Sequence, residues 1–148
     1  MKKTIFFMFF GMSVIFACAQ DSIKNSWDVD WIFESGGLIA EEIKEKFGVK
    51  LEFHYGSSFM ETYRLKKSTN TMDYTFSLYF NRNGRLFFTK VYFTPLNKTE
   101  QQFILELRQH IVWFFKLNEY SKEIPEKNIS FNTSSMMGVV EFEVSYRL

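Results

Sequence analysis

The stretch from Met72 to Thr94 constrains the fold more than any other. Met72, Tyr74, Phe76, Leu78 and Phe80 alternate with Asp73, Thr75 and Ser77, then Asn81-Arg82-Asn83-Gly84 intervenes before an aromatic-rich return segment, Leu86–Thr94. Alternation at period two puts one residue set on one side of a strand. Asn-Gly tolerates the two positive φ angles of a type I′ turn. The stretch therefore predicts a β-hairpin whose even-numbered first strand faces a core. By parity, Phe87, Val91 and Phe93 oppose Leu86 and Phe88, and Tyr79 opposes Leu78 and Phe80. Some of these rings are thus expected on the sheet face away from the helices. That face admits two readings: a second small core layer built by Trp27, Trp31 and the first helix, or an exposed apolar face that receives a partner or ligand.

Other segments supply the remaining elements. Leu38, Ile39, Ile43 and Phe47 recur at helical spacing, with Gly48 placed to end the helix. From Val49 the period becomes two, so Val49–Tyr55 predicts a half-buried strand, followed by a Gly56-Ser57-Ser58 turn and a weaker strand over Phe59–Leu65. Pro95 ends the hairpin. Thr99-Glu100-Gln101-Gln102 fits a capping box at the start of a helix whose stripe is Phe103, Leu107, Ile111 and Phe114. A short strand at Ile129–Phe131 precedes a closing strand, Val139–Leu148, in which Val140, Phe142, Val144 and Tyr146 alternate with Glu141, Glu143 and Ser145. The expected order is α-β-β-β-β-α-β-β. This is an α+β fold, an antiparallel sheet with two helices packed on one face. It forms a single domain over 36–148, preceded by a polar tether over 20–35.

The first 19 residues have the features of an export signal. Lys2 and Lys3 form a basic start, Ile5–Phe16 is an apolar run, and Ala17-Cys18-Ala19 offers small residues for cleavage. The run is shorter than the roughly 20 residues a membrane span requires. Without Lys2 and Lys3, the 18 Lys+Arg of the chain fall to 16 against 17 Asp+Glu, about −1, so a polybasic nucleic-acid or membrane-surface protein is excluded. Cys18 is the only cysteine, which leaves no internal disulfide. Ile15-Phe16-Ala17-Cys18 resembles the bacterial lipobox. That resemblance implies that Cys18 becomes the lipidated first residue of an exported chain, either periplasmic or membrane-anchored. A cut after Ala19 is the alternative and discards Cys18.

Residues 73–148 resemble the C-terminal domain of TonB-type energy transducers. The resemblance rests on Phe76-Ser77-Leu78-Tyr79-Phe80, the Asn-x-Asn-Gly turn, Leu86–Phe93, the aromatic helix end Trp113-Phe114-Phe115 and a closing strand centred on Phe142. It implies a binding domain of that shape.

Catalytic patterns are sparse. No G-x-S-x-G, H-E-x-x-H, P-loop or dinucleotide fingerprint occurs, so neither an enzyme nor a cofactor is expected. His54 is expected to be exposed on a strand and His110 partly buried on a helix, and a lone histidine makes a poor metal site. Glu141 and Glu143 share one side of the closing strand at a spacing that paired carboxylates could use, but a solvated face is the simpler reading. The function expected is a non-catalytic envelope adaptor. Its closing strand, as a sheet edge, pairs with an extended segment of an envelope protein through Val139, Glu141, Glu143, Ser145 and Arg147. The alternative is a carrier of a small apolar ligand, or an inhibitor of an envelope enzyme, that uses an aromatic sheet face.

The anchor is directly testable. Intact-mass measurement of the mature protein is expected to show a chain starting at Cys18 with added acyl mass, partitioning into detergent. An unmodified chain starting at Gln20 excludes it.

Overall fold

The computed structural model describes residues 29–148. Trp27 and Cys18, with the expected export signal and most of the expected tether, lie outside the described residues. Among the described residues, three α-helices, α1 (Asp30–Phe33), α2 (Ala40–Phe47) and α3 (Glu100–Phe115), and a short 3-10 turn at Pro125–Lys127 accompany seven strands. These are β1 (Glu52–Gly56), β2 (Met60–Ser68), β3 (Met72–Asn81), β4 (Leu86–Pro95), β5 (Glu123–Ile124), β6 (Ile129–Met136) and β7 (Val139–Tyr146). They form one antiparallel sheet in the order β1-β2-β3-β4-β7-β6-β5. The α+β class and the antiparallel sheet are as the alternation predicts. The short helix α1 and the two-residue strand β5 are additional to the expected order.

The β3–β4 hairpin forms with the expected even-numbered residues buried, from Met72 to Phe80. Its turn differs from type I′. Only Gly84 has a positive φ, +71°, while the Asn81 N–H donates to Arg85 O and the Gly84 N–H to Asn81 O. A three-residue loop with one left-handed glycine meets the strand twist equally well. The Asn81 side chain holds it by accepting from the Asn83 and Arg85 N–H groups at 2.9 and 3.1 Å. The two-residue turn with both φ angles positive is instead Met137-Gly138, between β6 and β7.

Parity in β4 is corrected by a bulge. Tyr79 pairs with Phe88 but Phe80 pairs with Leu86, so Phe87 is an extra residue. The bulge lets Leu86, Val91 and Phe93 share one buried face, and it leaves Tyr79 and Phe88 together on the other, with ring centroids 5.3 Å apart.

The buried face is built from aromatic side chains. Trp31 of α1 meets Phe76 at 5.3 Å, Phe33 meets Phe142 at 6.3 Å, and Phe103 of α3 meets Phe93 at 4.9 Å. The first residues of α3 are capped as expected: the Gln102 N–H donates to Thr99 Oγ1 and the Thr99 N–H to Gln102 Oε1. Because Trp31 packs on Phe76, it belongs to this core and not to a second layer on the far face.

The tether also ends earlier than 35. Val29, Trp31, Ile32, Phe33 and Ser35 are all buried, so the domain begins by Val29. Trp31, Ile32 and Phe33 are three successive large apolar residues, and a tether would leave them in water. Tyr146 of β7 fastens this segment. Its hydroxyl donates to Ile32 O at 2.6 Å and lies 3.2 Å from Thr89 Oγ1. Gly36 passes directly against the ring: a Cβ there would sit 2.5 Å from Tyr146 Cδ1.

Leu107 and Phe76 are almost fully buried on opposite sides of the core layer. Leu107→Ala and Phe76→Ala are each expected to cost about 3–4 kcal/mol in urea melts, from lost burial and residual cavity. Gly36→Ala is expected to cost about 1–3 kcal/mol by overpacking against Tyr146. Costs below about 1 kcal/mol for the first two would mean that α3 does not pack on the hairpin.

Candidate functional site

The sheet order corrects the proposed docking edge. β7 lies between β4 and β6, with Val91 opposite Phe142 and Val144 opposite Phe131. Both of its backbone edges are paired, so no extended segment can add there. The local sequence marks β7 as a strand but cannot tell which neighbours it finds; strand order is set by long-range burial. Val139, Glu141, Glu143 and Ser145 instead point to the sheet face opposite the aromatic core. Arg147 lies past the strand end, with Nη2 3.2 Å from Glu123 Oε2.

The two glutamates are engaged with a cation from the next strand. Lys90 Nζ stands 3.0 Å from Glu141 Oε1 and 2.9 Å from Glu143 Oε1. Asn132 Nδ2 donates to Glu143 Oε2 at 3.0 Å. The Asn132 hydrogen bond, and then that of Lys90, hold the Glu143 carboxyl below the ordinary carboxylate range. The bond to Glu143 in turn raises the Lys90 ammonium above its usual value, against the opposing effect of burial. The middle of this face is therefore a polar cross-strand network with Tyr79, Phe88 and Tyr92 beside it. An exposed apolar face, one of the two readings of the alternation, is thus interrupted at its centre by these charges.

The histidines separate. His54 is exposed on β1. His110 is 1% exposed, with Nε2 2.5 Å from Asp30 Oδ1, and so joins α3 to α1. Among the described residues no group of three or more His, Cys, Asp or Glu could hold a metal ion. No helix among them is long and apolar enough to cross a membrane.

The sheet has open edges elsewhere. β5 covers only Ser130 and Ile129 of β6, so the outer side of β6 beyond them is bordered by no strand among the described residues. Its side chains there are small and polar from Asn132 to Ser135, and the strand ends at exposed Met136. The other edge is β1, and it differs in kind. All five of its residues are exposed, against the expected half-buried strand. Phe53 is 60% exposed, Tyr55 57%, and Phe59 in the following turn 77%. A register shift between Phe53 and Tyr55 places Phe53 opposite Tyr63 and Tyr55 opposite Thr62, hence on opposite faces.

An aromatic ladder links this edge to the core. Phe53 meets Tyr63 edge-on at 5.6 Å, and Tyr63 meets the buried Phe80 edge-on at 5.2 Å. The ladder stops at Phe53, in solvent. The spacing of Phe53 and Tyr55 matches a core-facing set; the register shift sends Tyr55 to the far face, while Phe53 stays on the core side and is exposed because no strand among the described residues borders the outer side of β1.

No family model, characterised protein or solved structure matches the chain.

The Glu143 network gives a pH test. A carboxyl lowered in the folded state stabilises the protein above the ordinary carboxylate range, and the stabilisation is lost as pH falls through the folded value. Glu143→Gln is expected to cost about 1–2 kcal/mol at pH 7. It is also expected to flatten the loss of stability that the wild type shows below about pH 4.5, measured by urea melts from pH 7 to pH 3. An unchanged acid limb would remove Glu143 from the stabilising network.

Proposed function

We propose that the protein is a non-catalytic binding or adaptor module of the bacterial cell envelope, exported and held to a membrane through lipidated Cys18. Its sheet, with helices on one face, receives an extended segment of an envelope protein along the outer edge of β1. The carrying observation is the open β1 edge with Phe53, Tyr55 and Phe59 in solvent. Exposed edges are templates for strand pairing, and proteins normally blunt them with charge, proline or short length. β1 is short and carries Glu52 and His54, yet it also presents two aromatic side chains, one per face. An added strand would gain backbone hydrogen bonds, and its alternate side chains would pack beside Phe53 on one face and Tyr55 on the other. A residue beside Phe53 would extend the ladder that ends there.

The TonB C-terminal-like resemblance supports a binding role of this kind. Its hairpin–helix–strand order corresponds to β3–β4, α3 and β7, with β7 beside β4. The carrier reading through an aromatic far face is weaker, because Lys90, Glu141 and Glu143 occupy the centre of that face.

Site-specific photo-crosslinking in cells tests the edge. A photoreactive side chain at position 53 or 55 is expected to capture one defined envelope protein, and one at Ser134 on the opposite edge is not. The double variant Phe53→Ser/Tyr55→Ser should lose the partner while changing stability by about 0.5 kcal/mol or less, as exposed substitutions do. Capture from position 134 alone, or a partner retained by the double variant, would reject strand addition at β1.

A further inference from the structure

We propose that the strand added at β1 is β1 of a second copy of this chain, the two joined antiparallel about a twofold axis at Phe53. The inference rests on strand addition at β1 and names its occupant. Glu52, Phe53, His54 and Tyr55 are all exposed, and the outer backbone side of β1 is bordered by no strand among the described residues. In an antiparallel pair about a twofold axis, the residue on the axis faces its own copy. Each residue before it faces the one equally far after it. With Phe53 on the axis, Glu52 stands opposite the partner's His54, and this pair occurs twice in the interface. Among the described residues, Glu52 and His54 make no hydrogen bond or ion pair. Arg64 lies opposite Glu52 on β2 and forms no ion pair with it. An imidazole of the second copy can donate an N–H to that carboxylate.

Neighbouring registers fit less well. An axis at Glu52 sets two carboxylates directly opposite each other, which destabilises a strand pair. An axis at His54 sets Phe53 opposite the partner's Tyr55, yet these two lie on opposite faces of the sheet. With the axis at Phe53, its ring meets its own copy on the core side. The ladder Phe80–Tyr63–Phe53 then continues through the partner's Phe53 into the second core. Aromatic side chains directly opposite each other stabilise a strand pair. Twofold pairing also closes on itself: each copy uses its β1 edge once, so assembly stops at a dimer. Five residues a side make a small contact. Two copies anchored in one membrane meet at a raised effective concentration, so pairing is expected at the envelope and not in dilute solution.

Cysteine crosslinking of the full chain in the cell envelope tests the register. Paired Cα atoms of antiparallel strands are roughly 4.5–5.5 Å apart, inside the window of about 4.4–6.8 Å that a disulfide spans. Phe53→Cys is therefore expected to give a disulfide-linked dimer on non-reducing gels. Tyr55→Cys is not, because its two copies stand about 10 Å or more apart along the strands. The wild type, whose one cysteine is Cys18, is the background control. Adding His54→Glu to Phe53→Cys sets carboxylates opposite each other twice, and is expected to lower the dimer yield about 10-fold. Adding Glu52→Lys as well should restore it. All these positions are exposed, so the fold is expected to survive, and far-UV circular dichroism of the purified variants checks it. No dimer from Phe53→Cys, an equal yield from Tyr55→Cys, or a His54→Glu defect that Glu52→Lys does not relieve would overturn the proposal. If position 53 photo-crosslinks to a different envelope protein and Phe53→Cys gives no dimer, self-pairing fails and strand addition at β1 stands. No capture of any kind from positions 53 and 55 rejects both.

Discussion

A buried phenol has to spend its single proton on something, and in this protein the choice made by Tyr146 organises the core. Its hydroxyl donates to Ile32 O at 2.6 Å, which leaves the Thr89 hydroxyl, 3.2 Å away, to donate to the Tyr146 oxygen. One side chain thus ties β7 to β4 and to the segment that carries α1. Burial raises the phenol far above its ordinary titration range, so the donor persists through neutral and moderately alkaline pH. The contact requires the chain to pass very close to the ring, and Gly36 makes that passage possible. With the segment fixed, Trp31 and Phe33 reach the sheet, and Asp30 reaches His110 on α3. The bond acts together with the ring contacts of Trp31 with Phe76 and of Phe33 with Phe131 and Phe142.

The two faces and two edges of the sheet do different work. The aromatic face is filled by helices, and the opposite face is held by the Lys90 network. The exposed aromatic side chains of the sheet concentrate at the β1–β2 end. There the ladder Phe80–Tyr63–Phe53 carries core packing out to solvent. A cleft lined by Trp31, Phe47, Leu65 and Phe76 opens at the same end. The far edge, beyond β6, presents asparagine, threonine and two serines, with Met136 exposed at its end. The residues before Met136 offer an incoming strand little apolar area to bury.

Local features were legible where local physics decides them. The β3–β4 hairpin follows from alternation between Met72 and Phe80 and from Asn81-Arg82-Asn83-Gly84. The capping of α3 follows from Thr99 and Gln102. Features that depend on distant partners were not. Val139–Tyr146 looks the same whether it lies at an edge or in the interior, because its alternation reports one buried face and nothing about its neighbours. The Phe87 bulge inverts the parity of the residues before it, and no residue type in Leu86-Phe87-Phe88 marks the inversion. Trp31-Ile32-Phe33 reads as part of a tether because the segment before it is polar; its burial depends on Phe76, Phe131, Phe142 and Tyr146, all distant in sequence. The candidate sites suffer most from this limit. Exposure of Phe53 and Tyr55 is a property of the sheet's boundary, which no short window contains.

The placement of β7 has a consequence for how the chain assembles during synthesis. The last strand in sequence fills a position between β4 and β6, so β4 keeps one open edge until residues 139–146 arrive. Everything made earlier can form at most two incomplete sheets, β1–β4 and β5–β6. Completion waits for contacts of long sequence separation, which slow folding. A nascent chain that cannot close its sheet stays pliable until its end has emerged. Over that interval the bare flank of β4 is also where two half-made copies are most apt to pair with each other.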